Sequence, residues 1–239
     1  MTIWPPGVGL ASLGEIDSTN AEAHRRAQAG EAGPLWITAK RQTAGRGRRG
    51  RAWETGQGNL AATLLLRIQV RAEQVAQLSF AAALAVADLA AYFAPQSVIT
   101  VKWPNDVLAN GRKLSGILLE AGIDWLAIGV GINLASFPSG TEFPATSLAA
   151  QGVAAPTPDA ALTVLADRFA LWLARWQAEG FEPLRSAWLA QAGGLGLPIR
   201  ARLPHEERHG AFEGIDASGA LLLRDAAGVC AITAGEVFF

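Results

Sequence analysis

Residues 75–93 constrain this chain most. They are apolar on nearly every side, interrupted only by Gln77, Ser79 and Asp88. The pattern predicts a helix over 73–93. A helix that is apolar all round is either a core element or a membrane span. The three interruptions favour the core, so other elements must cover it. Half of the 239 residues are hydrophobic and 17% are charged. That is too apolar for a disordered chain and enough for one sizeable core.

The rest of the chain offers that cover. Residues 8–16 read as a strand entering a helix at Asp17-Ser18-Thr19-Asn20, four good N-cap types, with Gly30 as its stop. Strands are expected over 35–39, 60–68 and 98–103, the last ended by Pro104. Asn110-Gly111 predicts a hairpin between 106–109 and 113–121. Residues 125–134 are nearly all apolar and read as a central strand. After a connection over 135–156, Thr157-Pro158-Asp159 opens a helix that ends before Gly180. Its Phe169, Leu173 and Trp176 recur at helical spacing and point to the core. A short helix over 183–191 precedes a glycine-rich linker at 193–196. Short strands over 198–203, 210–216, 220–224 and 229–233 follow. The expected fold is α/β of the α+β kind: a mixed sheet flanked by helices over 1–192, then a small SH3-like β-barrel over 193–239. No Gly-x-Gly-x-x-Gly turn opens a helix and no Walker-type loop occurs, so the usual dinucleotide and P-loop readings fail.

A net charge of −1 and a pI near 6.3 argue against a general binder of nucleic acid or membrane surfaces. The single Cys230 suits a reducing cytoplasm and reads as a small apolar residue in a strand. Residues 1–6 lack the basic-then-apolar pattern of a signal peptide.

Against that neutral background stands one basic island. Residues 45–51 hold four arginines and three glycines, with Gln42 before and Trp53 after. Glycines let backbone N–H groups point at a ligand, and arginines bond phosphate or carboxylate oxygens. A small anion, nucleic-acid phosphates and a plain solvated loop all fit this island. Trp53 offers a flat surface for a purine or for an arginine, or an anchor for the loop's return to the core. Lys102-Trp103-Pro104-Asn105-Asp106 turns sharply at a strand end and projects Asn105 and Asp106, as a site or as an ordinary β-turn. Lys113 leads into an apolar strand and needs an anionic partner, a ligand or a structural carboxylate. Gly116 within that strand marks close approach of another group, and Gly129 and Gly131 mark tight packing. Asn133 in an apolar strand must find hydrogen bonds.

Together these segments resemble the biotin protein ligase family. Asp17-Ser18-Thr19-Asn20, residues 42–53, Gly58-Asn59-Leu60, residues 102–106, 112–117 and 129–134 occur in the family's order. The resemblance implies a class II aminoacyl-tRNA synthetase-like catalytic domain. It implies a two-step reaction: biotin and ATP, with Mg2+, give biotinyl-5′-AMP, and a lysine of a biotin carboxyl carrier protein domain then takes the biotin. It implies that Ser18, Thr19, Asn20 and Gln42 meet biotin's ureido ring, with Gly45, Arg46, Gly47 and Gly116 completing that site. Arg48 and Lys113 would hold the carboxylate and the α-phosphate as the catalytic pair. Arg49, Arg51, Trp53, Asn105, Asp106 and Asn133 would serve the nucleotide, with Asp106 as a metal candidate. The basic loop becomes a lid hinged on Gly45, Gly47 and Gly50. The SH3-like domain would assist with ATP and the carrier. The motif begins at residue 17, which leaves no room for the helix-turn-helix domain of the family's repressors, so no DNA contact is expected. Residues 54–58 are shorter than the family pattern and lack its Ser-Pro. A homodimer is compatible with the resemblance. A lipoate or octanoate ligase of the same fold is the runner-up. A nucleic-acid-binding protein using the basic loop is the alternative of another class.

Overall fold

The computed structural model describes residues 2–68 and 72–239, so Met1 of the N-terminal reading lies outside the described residues. The first part contains β1 (Gly9–Ile16), α1 (Thr19–Gln28), β2 (Leu35–Gln42), β3 (Leu60–Arg67) and α2 (Ala72–Phe93). Then come β4 (Ile99–Lys102), β5 (Asp106–Ala109), β6 (Arg112–Ala121), β7 (Trp125–Ile132), α3 (Pro158–Glu179) and α4 (Glu182–Ala190). Seven strands form one sheet in the order β1-β2-β3-β7-β6-β5-β4. The β1–β2 pair is parallel and the remaining pairs are antiparallel, so the sheet is mixed. β7 takes the middle position, which explains its unbroken apolar run. Asn110 and Gly111 both have positive φ, as a two-residue hairpin turn requires.

α2 is long and apolar enough to cross a membrane by length and composition alone. Here it is the core helix, packed against α3, α4 and strands β4 to β7. Leu78, Leu84 and Leu89 have no exposed surface, and each such burial contributes roughly 1.5–3 kcal/mol. Its three polar interruptions all have partners. Trp176 Nε1 donates to Gln77 Oε1 at 2.9 Å, and Trp172 Nε1 donates to Asp88 Oδ2 at 2.8 Å. Ser79 Oγ reaches Pro104 O at 3.5 Å. Burial pushes the Asp88 carboxyl above the usual carboxylate range. On the opposite face, Ala23 and Ala27 of α1 pack on Leu35, Ile37, Leu65 and Ala127.

The second sheet holds β8 (Pro198–Arg202), β9 (Glu207–Ile215), β10 (Leu221–Asp225), β11 (Gly228–Ile232) and β12 (Glu236–Phe238). It is antiparallel in the order β11-β10-β9-β8-β12, consistent with an SH3-like fold. β9 begins three residues before the expected start, and β12 was not anticipated. The glycines at 193–196 are not a loose linker. Gly193 N–H bonds Val101 O at 2.9 Å, and Gly196 N–H bonds Phe212 O at 2.7 Å. Phe181, Phe80, Trp188 and Phe212 form an edge-to-face chain from one part to the other. Trp103 Nε1 adds a bond to Gly219 O at 3.0 Å. The two sheets therefore share one core.

Candidate active site

A cleft of ≈ 490 Å³ opens between the large sheet, the basic loop and the β12 edge. The candidate residues from the sequence line it, except Gly45 and Arg49. Residues 45–53 form a small hairpin rather than an unsupported loop. Trp53 N–H bonds Gly45 O at 2.9 Å, Arg46 pairs with Ala52, and Gly47 N–H bonds Arg51 O at 2.7 Å. Gly45 is buried behind the cleft wall, where a Cβ would stand 2.4 Å from Trp53 O. Only Gly50 of the three glycines has a positive φ. The hairpin is thus built on Gly45 and Gly50 for different reasons, and Gly47 is under no such demand. Arg49 sits exposed at the tip.

The strand glycines give way to specific side chains. A Cβ on Gly129 would fall 2.2 Å from Asn20 Oδ1. A Cβ on Gly131 would fall 2.3–2.5 Å from three atoms of the Trp53 ring, and one on Gly116 would meet that ring at 3.0 Å. Gly116 and Gly131 are paired across β6 and β7, so together they form the seat of Trp53. Asn20 and Trp53 therefore stand at successive positions along one face of β7.

Beyond Trp53 the cleft is cationic. Lys113 folds back over Gly116 so that its Nζ lies 2.7 Å from Asp106 Oδ1, while Lys102 Nζ lies 3.6 Å from Asp106 Oδ2. Asp106 is the carboxylate partner of Lys113 in this fold. Asp106 Oδ1 makes that contact as an ion pair without hydrogen-bond alignment. Burial pushes the Lys102 ammonium below the usual lysine range, and Asp106 only partly offsets this. The Phe143 ring adds a cation–π contact at 4.3 Å. Burial likewise lowers Arg48, and the neighbouring Arg49 acts in the same direction. Arg48 donates to Asn105 Oδ1 at 3.5 Å and to Gly235 O at 3.3 Å. Lys102, Lys113 and Arg48 thus gather around Asp106, a local excess of positive charge that favours an added anion there. Among the described residues no three His, Cys, Asp or Glu side chains gather to hold a metal, and Asp106 faces two lysines instead.

The other end is neutral and polar. Thr19 N–H, at the start of α1, donates to Gln42 Oε1 at 2.8 Å, and Gln42 Nε2 donates to Thr55 Oγ1 at 3.0 Å. Asp17 is tied to Arg25 at 2.8 Å and accepts the Ser18 N–H at 2.7 Å, which shapes the turn. Its carboxyl is held well below the usual range, first by the Arg25 hydrogen bond.

Sequence reasoning missed the far wall. Glu142 and Phe143 come from the 135–156 connection, and Glu236 and Phe238 come from β12. Arg51 pairs with Glu236, which also pairs with Arg202. Buried Asn59 anchors the connection: its Oδ1 accepts from Leu134, Ala135 and Ser136 N–H at 2.9–3.1 Å. Asn133 continues the job, with Nδ2 donating to Thr146 O at 3.0 Å. Replacing Asn59 by alanine leaves three N–H groups without their acceptor. A loss of about 1–3 kcal/mol is expected in urea unfolding, and Asn59→Asp should lose less because it keeps the acceptor.

A neutral polar pocket beside a cationic centre, under a basic hairpin, defines an α/β protein whose one cleft has two ends of different chemical character. Residues 14–133 match the model of the Biotin/lipoate A/B protein ligase family, and residues 194–239 match the biotin protein ligase C terminal domain. The chain belongs to the biotin/lipoate A/B protein ligase family. It is 48% identical over 238 residues to the biotin–[acetyl-CoA-carboxylase] ligase of Paracoccus denitrificans, covering 95% of this chain and 99% of that one. The enzyme of the same name from Mycobacterium tuberculosis is 34% identical, with 95% and 88% covered. The solved biotin protein ligase from Aquifex aeolicus in complex with biotin and ATP superposes with a TM-score of 0.85 at 27% identity, covering 96% and 97%.

Proposed function

We propose that this chain is an ATP-dependent biotin protein ligase, forming biotinyl-5′-AMP and passing biotin to a lysine of a biotin carboxyl carrier domain. The observation that carries the reading is the cleft itself: a polar pocket at Ser18, Thr19 and Gln42, then Trp53, then the cations Lys102, Lys113 and Arg48. Biotin has the matching layout, with a ureido ring at one end and a carboxylate at the other. The ureido group carries N–H donors and a carbonyl acceptor, which hydroxyl and amide side chains satisfy.

In the first step a biotin carboxylate oxygen attacks the α-phosphorus of ATP, and the bond to pyrophosphate breaks. Two anions must meet, so fixed positive charge offsets their repulsion. Lys113 and Arg48 are assigned that work, and Lys102 supports them from its buried position. Asn105, Asp106, Asn133, Arg49 and Arg51 remain candidates for the nucleotide side. Magnesium enters as part of the ATP substrate and neutralises phosphate charge. No side-chain nucleophile is required. In the second step the carrier lysine amine attacks the acyl carbon of the mixed anhydride, and AMP leaves. The name of the Paracoccus relative makes acetyl-CoA carboxylase the natural source of the carrier. The ATP requirement and the lone Cys230 fit a cytoplasmic setting.

The test is direct. The protein is incubated with ATP and a carrier domain, plus either biotin or lipoate, and the carrier is analysed by mass spectrometry. Biotin on one lysine is expected. Lipoyl carrier with no biotinyl carrier would establish the runner-up instead.

A further inference from the structure

Behind the polar end of the cleft lies a chain of hydrogen bonds whose direction follows from elementary donor and acceptor chemistry. Asn20 Nδ2 lies 2.7 Å from Glu120 Oε2 and 3.4 Å from Leu118 O. Both neighbours are acceptors, so the amide nitrogen must point to them. Asn20 Oδ1 then faces Thr63 Oγ1 at 2.7 Å. Thr63 has no exposed surface, and among the described residues its hydroxyl is the one donor to that buried carbonyl oxygen. A buried acceptor without a donor is costly, so the Thr63 proton goes to Asn20. Thr63 Oγ1 also lies 2.8 Å from Thr19 Oγ1. With its own proton committed, Thr63 can only accept there, and the Thr19 hydroxyl donates to it. Gln42 Oε1 stands 3.1 Å from Thr19 Oγ1 and already accepts the Thr19 N–H. It is left with one lone pair free.

We infer that the Thr63 hydroxyl sets the hydrogen-bond polarity of this pocket, presenting the Thr19 and Gln42 oxygens to the ligand as acceptors. Thr63 is a positioning residue that acts through Thr19 and does not itself line the cleft. The pocket is thereby matched to a ligand head with adjacent N–H donors, and the Ser18 hydroxyl is left to donate to a carbonyl. This deepens the proposed function and rests on it: biotin's ureido ring has that pattern, and a dithiolane ring has neither donor.

The experiment measures biotin binding by calorimetry, together with kcat, the KM values for biotin and ATP, and the melting temperature. Wild type, Thr63→Val and Thr63→Ser are compared. Thr63→Val keeps the shape and removes the proton. Biotin binding should weaken about tenfold or more and the biotin KM should rise in step, while kcat and the ATP KM hold. Thr63→Ser should restore binding to within about twofold, since it keeps the donor. If Thr63→Val does not fold, Thr63→Cys, a weak donor of similar size, should bind biotin more weakly than Thr63→Ser, and equal binding by the two overturns the inference. Unchanged biotin affinity in the valine variant overturns the inference while leaving the ligase reading intact. So does a parallel loss of kcat, ATP KM and melting temperature with no rescue by serine, which marks a merely structural hydroxyl. A wild-type protein that binds no biotin overturns both.

Discussion

Replacing Lys113 by alanine is expected to slow adenylate formation by about 10²-fold or more, the scale of losing one electrostatic donor at the proposed reacting centre. Its structural setting gives a reason beyond the missing charge. Lys113 is the nearer counter-ion of Asp106, at 2.7 Å against 3.6 Å for Lys102. Without it, Asp106 stands less compensated beside the incoming carboxylate and phosphate. The variant therefore removes an attraction and uncovers a repulsion. Folding should survive, because the bonds that seat this residue are made by its backbone: Lys113 N–H to Pro144 O at 2.7 Å and Thr146 N–H to Lys113 O at 2.9 Å. Single-turnover release of pyrophosphate is the readout. Adding Asp106→Asn to Lys113→Ala should recover part of the rate, because the pair is coupled. A near-wild-type rate in the single variant would remove Lys113 from the reacting centre.

Gly131→Ala should be the next most damaging change, with a loss of about 10–10² in kcat/KM. The added Cβ would overlap three atoms of the Trp53 ring, and a displacement of about 1 Å near a reacting pair is enough for such a loss. Two controls isolate the cause. Gly131→Ala combined with Trp53→Ala should be no worse than Trp53→Ala alone, since the overlap is gone. Gly47→Ala should be nearly silent, because its Cβ would meet only Arg51 O at 3.7 Å. An inert Gly131→Ala, or a damaging Gly47→Ala, would restore the idea of a glycine-hinged lid over that of a fixed tryptophan seat.

Much of this was legible in the chain because it is local. The apolar run of β7, the Asn110-Gly111 turn and the helix start at 157–159 each carry their own pattern, and each appears in the fold. The odd strand glycines announced close neighbours, but not which ones. Trp53 and Asn20 lie far from Gly131 and Gly129 along the chain, and no periodicity links them. The partner of Lys113 was open for a similar reason: Asp106 reaches it across the irregular β5–β6 register, where the pairing shifts between Val107 and Leu108. β12 escaped notice because three residues are too short to show alternation, yet it brings Glu236 and Phe238 to the cleft. Thr63 was hidden inside an apolar strand, where a threonine reads as an ordinary strand former. The polar interruptions of α2 signalled a core helix, while their indole partners on α3 emerge only from packing.

The central claim is that one cleft brings a biotin carboxylate to the α-phosphate of ATP. Isotope exchange between pyrophosphate and ATP, with no carrier protein present, tests it most directly. The account predicts exchange that requires biotin, is not supported by lipoate or octanoate, and falls about 10²-fold in Lys113→Ala. Exchange that proceeds with lipoate and not with biotin, or that is indifferent to Lys113, would contradict it.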